Sequence, residues 1–294
     1  PYQLPGRRPR GRSQDGATTG SRAKSQTDRT HALAAERARA SAGAHGTSGK
    51  PLANDERKHS GPAVTDPDFL PWLDRHSRQR EPLSLEDLVT GSGGGEHCAV
   101  AVVDLLEGFC RTGPLASDRI LSIVDPIVEF LKQTHRLGVS KYLFPCDSHS
   151  EDSPEFQVFP PHCVEGTEEA ELVHEIKGLE FSSLFQKIEK RSISSLVGTE
   201  LPQSLEEEGV RTIICTGDCT DLCLYHLAVG LRYWANAHHL QWEIVVPQNL
   251  VATYDLPTAK ATELGLLPHP ADLLDKIFFY HLELNGVRVV SEFI

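Results

Sequence analysis

The sequence predicts an α/β protein in which a central, mostly parallel sheet lies between two layers of helices, a three-layer α/β/α fold. From His97 onward, short apolar segments alternate with longer segments that have helical spacing. The apolar segments are nearly continuous, which is typical of parallel strands covered on both faces. Several of them end in residues that can perform chemistry, at the edge where such sheets bind ligands. A disordered N-terminal segment is predicted to precede this fold.

The predicted strands are short apolar runs, most of them rich in β-branched residues. They are CAVAVVD (98–104), KYLFPCD (141–147), RTIICTG (211–217) and WEIVVPQNLV (242–251), and VRVVSEF (287–293) closes the chain. Helical spacing extends over residues 117–138, 221–239 and 272–284. The first of these helices is predicted to begin with Ser117 as its N-cap and to end at Gly138.

Composition divides the chain into three parts. Residues 1–62 carry 12 Lys and Arg against 5 Asp and Glu and have almost no branched apolar or aromatic residues, which predicts a disordered, basic low-complexity tail. Residues 63–96 are predicted to be a linker that contains a candidate docking helix and a flexible joint, TGSGGGEH (90–97). Residues 97–294 are predicted to form the folded domain.

Charge and hydropathy argue against two classes of partner. A net charge of −12 is unlike that of a nucleic-acid-binding surface. No run of about 18 apolar residues is present, so neither a membrane span nor a membrane partner is predicted. Seven cysteines in a chain of this length indicate a reducing compartment. We therefore expect a cytoplasmic location, with a plastid or another organelle as the alternative because the tail is similar to a transit peptide.

Three cysteines spaced four apart lie in CTGDCTDLCLYH (215–226). Cys215 is inside a predicted strand and is expected to be a buried apolar residue. Cys223 begins a long helix, where free N–H groups and the helix dipole favour a thiolate, so it is either a nucleophile or a packed helical residue. The spacing is unlike that of the usual C-x2-C zinc pairs.

A second candidate site follows the strand 141–147. Asp147 and His149 are separated by one residue, and His162 follows thirteen residues later. One carboxylate and two imidazoles suit zinc, iron or manganese, and Glu155 is a candidate fourth contact. The alternative interpretation is a solvated acidic loop. A lysine in KIEKRSISSLVGT (187–199) matters for chemistry only if it reaches Asp104 and Cys223; otherwise it is a surface charge.

Four motifs in order resemble the nicotinamidase branch of the isochorismatase-like cysteine hydrolases, most closely the plant type. They are VVDLLEGFC (102–110), DSH with FPPHCVEGTEEAEL (147–172), KRSISSLVGT (190–199) and TGDCTDLC (216–223). ATYDLP (252–257) and LLPHPADLL (266–274) also resemble C-terminal segments of the plant branch. The resemblance covers about residues 97–294. One departure is Asp218, which stands where the family usually has an apolar residue.

The resemblance implies a role for each matching residue. Asp104, Lys190 and Cys223 are expected to be the catalytic acid, lysine and nucleophile. The amides of Cys219 and Cys223 are expected to form the oxyanion hole, next to a cis peptide between Asp218 and Cys219. The substrate-binding residues are expected to be Phe109 and Phe159, and the metal ligands Asp147, His149 and His162, with Glu155 as a further candidate.

The resemblance also implies the reaction. We expect an amidohydrolase acting on linear amides, which converts nicotinamide to nicotinate and ammonia through a cysteine thioester, in NAD salvage. One divalent metal ion is expected, zinc first, with iron or manganese as alternatives. The substrate is the expected small-molecule partner, and a homo-oligomer is a further expectation. The alternative function is that of a related cysteine amidohydrolase acting on a different small amide or carbamate.

Overall fold

A parallel sheet forms the centre of the domain in the computed structural model, which describes residues 66–294. Its strands are β1 Cys98–Val103, β2 Lys141–Asp147, β3 Phe185–Lys190, β4 Thr212–Asp218, β5 Glu243–Pro247, β6 Val251–Ala252 and β7 Arg288–Val290. The strand order is β3-β2-β1-β4-β5-β7, and the short β6 pairs with β4. All of these pairings are parallel. The predicted fold class is therefore confirmed.

Ten α-helices lie in the described part of the chain. They are α1 Phe69–Arg78, α2 Leu85–Gly91, α3 Glu107–Cys110, α4 Asp118–Leu121, α5 Val124–Arg136, α6 His174–Lys177, α7 Leu201–Glu207, α8 Cys223–Ala237, α9 Thr258–Leu264 and α10 Ala271–Leu284. Five short 3-10 turns, at Gly95–His97, Pro154–Gln157, Glu168–Ala170, Ser182–Leu184 and Gln248–Leu250, complete the regular structure. Among these helices, none is both long enough and apolar enough to cross a bilayer.

Two hydrophobic clusters cover the two faces of the sheet. On one face, Val100 and Val102 of β1 pack with α5 residues such as Ile127 and Leu131. On the other face, Ala99 and Ala101 pack with residues of α7, α8 and α10. Every residue of β1 and β4 is buried. This burial on both faces is why these strands are nearly continuous apolar runs in the sequence.

The helix predicted over residues 117–138 is divided in two. Ser117 is the N-cap residue of α4, although its side chain makes no capping hydrogen bond, and α4 ends at Leu121. The chain becomes helical again at Val124 and the new helix ends at Arg136, two residues before Gly138. Pro126 lies in the first turn of α5, where its missing N–H costs nothing, whereas one continuous helix would have required that donor.

The edge strand β3 was not predicted from the sequence. Its residues, FQKIEK, are intermediate or exposed except for the last, Lys190, which is buried. Within the sheet it has a single neighbour, β2. A strand at such an edge is partly solvated, so its sequence lacks the apolar run that identifies the central strands. The pairing with β2 sets Lys190 opposite Asp147.

Residues 66–97 pack against the rest of the domain. The side chain of Leu73 in α1 is 1% exposed. Leu85, Leu88 and Val89 of α2 belong to one of the two hydrophobic clusters. The segment predicted as a flexible joint is also packed, because a Cβ atom on Gly95 would lie 2.2 Å from the carbonyl carbon of Gly138. The predicted disordered tail, residues 1–62, lies outside the described residues.

Candidate active site

Four polar residues lie where four neighbouring strands end. Asp104 follows β1, Asp147 ends β2, Lys190 ends β3 and Asp218 ends β4. Because the strands are parallel and adjacent, their carboxyl ends meet at one edge of the sheet. The sheet therefore gathers these four side chains, together with the start of α8, on one side of the domain.

Lys190 contacts three of the candidate groups. Its Nζ lies 2.7 Å from Asp104 Oδ2 and 2.6 Å from Asp147 Oδ1. It also lies 3.4 Å from Cys223 Sγ, and the residue is only 1% exposed. Burial alone would lower the pKa of Lys190, but the charges of Asp104, Cys223 and Asp147 raise it well above its ordinary value. Lys190 is therefore a buried cation rather than a surface charge.

Asp104 is a buried carboxyl group close to both the lysine and the thiol. Its Oδ1 accepts a hydrogen bond from the backbone N–H of Asp147 at 2.8 Å. Burial and the like charge of Asp147 raise the pKa of Asp104 to about 6, although Lys190 opposes this shift. A pKa in this range lets one carboxyl group both accept and donate a proton near neutral pH.

Cys223 is the first residue of α8 and is buried. One carboxylate oxygen of Asp104 lies within 4.8 Å of its Sγ. Burial raises the pKa of Cys223 well above its ordinary value, and Lys190 opposes this effect without cancelling it. Burial and the N-terminus of α8 therefore act in opposite directions on the pKa of this thiol, and Asp104 lies close enough to act as its base.

The turn before α8 presents two free backbone donors. The peptide bond between Asp218 and Cys219 is cis, as the family resemblance implies. Within this turn, Thr220 N–H donates to Ala252 O, and Leu224 N–H donates to Cys219 O. Within residues 66–294, the N–H groups of Cys219 and Cys223 donate to no backbone acceptor. The two amides expected to form an oxyanion hole are thus unpaired.

Asp147, His149 and His162 form a compact donor cluster beside Lys190. One donor atom from each lies within 4.8 Å of the other two, and all three residues are buried. Among the described residues, neither ring nitrogen of His149 has a hydrogen-bond partner. The Nδ1 of His162 lies 2.8 Å from Pro160 O, which leaves Nε2 to face the cluster. Unpaired buried imidazole nitrogens beside a carboxylate fit a divalent metal ion.

Glu155 lies at the border of this cluster. Its Oε1 is 3.9 Å from His149 Nε2. Its side chain is more exposed than those of the other three residues. The cation Lys190 and the neighbouring rings of His149 and His162 outweigh the effect of burial on Asp147 and hold its pKa well below the ordinary value. Asp147 is therefore an anion available both to Lys190 and to a metal ion.

A pocket opens onto the thiol and the donor cluster. Apolar side chains form most of its wall: Phe109, Leu115, Ile120, Phe159, Leu222 and Tyr254. Asp104, Asp147, Cys223 and His162 also line it, and Asp218 and Cys219 complete one side. Phe109 and Phe159, which were predicted to bind substrate, therefore lie in its wall. Cys215 lies outside this lining and is fully buried in β4.

A group of hydrogen bonds that connects the turn before α8 to two C-terminal segments was not predicted. Asp221 Oδ1 accepts from Thr253 Oγ1 at 2.6 Å, and Asp221 Oδ2 lies 2.8 Å from His269 Nε2. The His269 ring stacks on Tyr254 with 3.8 Å between ring centroids. The partners of Asp221 lie in the two segments that resemble the plant branch, ATYDLP and LLPHPADLL. That resemblance was the only sign in the sequence that these segments belong to the site.

A parallel α/β sheet that brings a buried thiol, an ammonium and a carboxyl group together at its carboxyl edge is the arrangement of a cysteine-dependent hydrolase. The comparison with known families agrees, because the model of the isochorismatase domain matches residues 98–266. The chain belongs to the isochorismatase family.

Similar sequences and structures support this assignment. The chain is 30% identical to Nicotinamidase 1 of Arabidopsis thaliana over 209 residues, which cover 66% of this chain and 85% of the relative. The nicotinamidase PncA from Bacillus subtilis has a similar structure, with a TM-score of 0.54 and 25% identity over 66% of this chain and 99% of that one. A pyrazinamidase of Pyrococcus horikoshii in complex with zinc has the same fold, with a TM-score of 0.53 and 20% identity. The match covers 66% of this chain and 99% of the pyrazinamidase.

Proposed function

We propose that this protein is a nicotinamidase, which hydrolyses nicotinamide to nicotinate and ammonia through a thioester on Cys223, in NAD salvage. The observation that carries the proposal is the position of Lys190, which touches Asp104, Asp147 and Cys223 at once. Lys190 thereby connects the thiol and its base to the donor cluster. That cluster can hold a metal ion, and it lies in the same pocket as the two aromatic side chains. The name and coverage of the Arabidopsis relative support the choice of substrate.

Asp104 is the proposed base for the first step. It takes the proton from the Cys223 thiol, and the resulting thiolate attacks the amide carbon of the substrate. The cation of Lys190 stabilises the thiolate as it forms. The negative oxygen of the tetrahedral intermediate is bound by the N–H groups of Cys219 and Cys223, each of which typically contributes about 3 kcal/mol.

Asp104 also carries the proton through the remaining steps. It gives the thiol proton to the amide nitrogen as the carbon–nitrogen bond breaks, which releases ammonia and leaves a thioester. Asp104, again a carboxylate, then takes a proton from water, which attacks the thioester carbon. Nicotinate leaves as the thiol regains the proton, so the protein returns to its starting state.

Asp147, His149 and His162 would hold the metal ion, and Glu155 is a further candidate. A bound metal ion would accept the lone pair of the ring nitrogen and so orient the pyridine ring. Two imidazoles and a carboxylate are ligands of borderline softness, which supports zinc over magnesium or calcium, while iron and manganese remain alternatives. Phe109 and Phe159 would pack on the ring from the pocket wall.

The proposal is tested by measuring ammonia release from nicotinamide. We expect rapid release from nicotinamide and little from benzamide, which has the same amide but no ring nitrogen. N-carbamoylsarcosine, which also releases ammonia, tests the related amidase function. Isochorismate contains no nitrogen, so the namesake reaction of the family is followed by the release of pyruvate. Preference for any of these three over nicotinamide would overturn the proposal.

The metal assignment is tested on purified protein by elemental analysis. We expect about one divalent ion per chain in the wild type and loss of most of it in His149→Ala or His162→Ala. His174→Ala serves as the matched control, because that histidine is exposed and is not a member of the cluster. Full activity in wild-type protein that carries no metal would contradict the assignment.

A further inference from the structure

Asp218 carries a buried carboxyl group at the end of β4. The residue is 1% exposed, and within the described residues neither of its carboxyl oxygens is hydrogen-bonded. An unpaired buried polar group typically costs about 1–3 kcal/mol, so apolar residues are favoured where nothing binds the group. Asp218 nevertheless lies in the wall of the active-site pocket, among mostly apolar side chains. A ligand in that pocket can be the partner that residues 66–294 do not provide.

The position of Asp218 identifies the part of the substrate it faces. Asp218 ends β4 beside β1, directly after the pair Val103 and Gly217, so it lies next to Asp104 across the two strands. It also immediately precedes Cys219, whose N–H group belongs to the proposed oxyanion hole. The carboxyl group of Asp218 therefore flanks the reacting amide of the substrate rather than the distant ring nitrogen.

The chemistry of a primary amide supplies the matching group. When the amide oxygen faces the N–H groups of Cys219 and Cys223, its nitrogen points away from them. That nitrogen carries two N–H donors, the only donors in nicotinamide, and its lone pair receives the proton that Asp104 delivers. One N–H can face Asp104 while that group is a carboxylate. The second N–H requires another acceptor, and within the described residues the carboxyl oxygens of Asp218 are unpaired.

We infer that Asp218 is a specificity-determining residue that accepts a hydrogen bond from the second amide N–H and so selects primary amides. This role rests on the proposed amidase function. Burial and the like charges of Asp104 and Asp147 raise the pKa of Asp218 well above its ordinary value, which is consistent with an uncharged acid. An uncharged carboxyl group keeps one carbonyl acceptor without adding a third anion beside Lys190.

Methyl nicotinate separates this role from the rest of the mechanism. It gives the same thioester as nicotinamide, but its leaving group carries no N–H donor. The experiment compares kcat/KM for the amide and the ester in wild type, Asp218→Asn and Asp218→Leu. Asn keeps a carbonyl acceptor in the same place, whereas Leu removes both oxygens.

We expect Asp218→Leu to lower the amide-to-ester ratio about tenfold, mainly by lowering kcat/KM for the amide. Asp218→Asn should keep the ratio within about threefold, because one neutral acceptor replaces another. Ser195→Ala is the matched control: Ser195 is also buried and unpaired within residues 66–294, but it does not line the pocket. Its ratio should equal that of the wild type.

A second measurement uses proteins that do not turn over. In the Cys223→Ala background, adding Asp218→Leu should weaken nicotinamide binding about tenfold and leave methyl nicotinate binding nearly unchanged. An equal effect of Asp218→Leu on both compounds, or no effect on either, would overturn the role of Asp218. A wild-type enzyme that releases no ammonia from nicotinamide would instead overturn the nicotinamidase proposal and, with it, this one.

Discussion

Lys190 is the residue on which the charges of the site depend. Two carboxylates and a thiol surround its ammonium in a buried volume. Without a cation there, Asp104 and Asp147 would repel each other, and a thiolate on Cys223 would be a further buried anion. The ammonium therefore determines how easily each of its three partners gives up a proton.

We predict that Lys190→Ala raises the pKa of Cys223 further, because Lys190 opposes the effect of burial on that thiol. The rate of alkylation by iodoacetamide, measured against pH, should shift to higher pH and fall near neutrality. Lys190→Arg should rescue the profile only in part, since a planar guanidinium does not fit the place of a compact ammonium.

Lys187→Ala is the matched control for this prediction. Lys187 lies on the same strand but is partly exposed, and its Nζ pairs with Glu189. Its removal should leave the alkylation profile unchanged. An identical profile in Lys190→Ala and wild type would show that Lys190 does not act on the thiol.

Cys223 and Cys215 provide a second test at the level of single residues. Both are buried, but only Cys223 lines the pocket and contacts Lys190. We predict that Cys223→Ala lowers kcat by at least about 10⁴-fold while nicotinamide still binds, as expected for loss of a nucleophile. Cys215→Ala should keep most of the activity. Similar rates in the two variants, measured by ammonia release, would rule out Cys223 as the nucleophile.

Part of the candidate site could be predicted from single residues in the sequence, and part could not. Asp147, His149 and His162 have a spacing that suits a metal site, and Asp104 lies in a motif that resembles one of the family, so the gathering of these side chains could be anticipated. The unpaired oxygens of Asp218 could not, because a sequence does not show which polar atoms remain without partners after folding. The burial of Cys223 could not be anticipated for a similar reason, because burial is a property of the surrounding side chains.

At the scale of elements, the sequence predicted the central strands well and the edge strand not at all. The strands β1, β2 and β4 are apolar because helices cover both of their faces, and that pattern is visible in the sequence. The strand β3 is mostly polar, although it carries Lys190 to the site. Its existence depends on backbone pairing with β2, which side-chain patterns do not encode.

The turn between β4 and α8 is held by the pair Asp221 and His269. Burial alone would lower the pKa of His269, but Asp221 raises it above the ordinary value of 6.5. Burial alone would raise the pKa of Asp221, but His269 and Thr253 lower it below 3.8. Stabilisation through His269 is full below pH 6.5 and is lost as pH rises through its folded-state pKa. Stabilisation through Asp221 is present above pH 3.8 and is lost as pH falls through its folded-state pKa.

We therefore predict that His269→Gln lowers the melting temperature more at about pH 6 than at about pH 9, since the charged pair exists only at the lower value. The measurement is thermal unfolding of wild type and variant at both pH values. His174→Gln, which changes an exposed histidine, should show no such difference. Equal destabilisation by His269→Gln at both pH values would mean that the pair acts through packing and not through charge.

At the scale of the whole molecule, residues 66–97 are part of the folded unit. Leu83 pairs with Phe293 near the C-terminus. The guanidinium of Arg80 binds the Glu283 carboxylate through two hydrogen bonds of 2.7 and 3.1 Å. The first residues of the described chain are thus joined to its C-terminal part. Composition alone had predicted a linker for this segment.

We predict that a protein beginning at residue 93 melts at a much lower temperature than one beginning at residue 66. The shorter protein lacks α1 and α2 and so loses the burial of Leu73, Leu85, Leu88 and Val89, each typically contributing about 1.5–3 kcal/mol. Thermal unfolding of the two proteins measures the difference.

Point variants provide the control for this truncation. Leu88→Ala should lower the free energy of unfolding by about 2–5 kcal/mol, because Leu88 is buried in the core. Leu70→Ala should change it by less than about 0.5 kcal/mol, because that side chain is 53% exposed. Equal melting temperatures for the two truncated proteins would show that α1 and α2 do not stabilise the domain.

Asp147 belongs to two groups at once, as the partner of Lys190 and as a member of the donor cluster. Evolution can therefore alter the pocket in two very different ways. Replacements at Phe109, Phe159 or Asp218 change which molecules fit without removing a charge from the lysine. Under the proposed mechanism, a replacement at Asp147 would alter both the recognition of the ring and the reactivity of the thiol in a single mutation. New substrates in this lineage are accordingly expected to arise through the aromatic wall, with the shared carboxylate held constant.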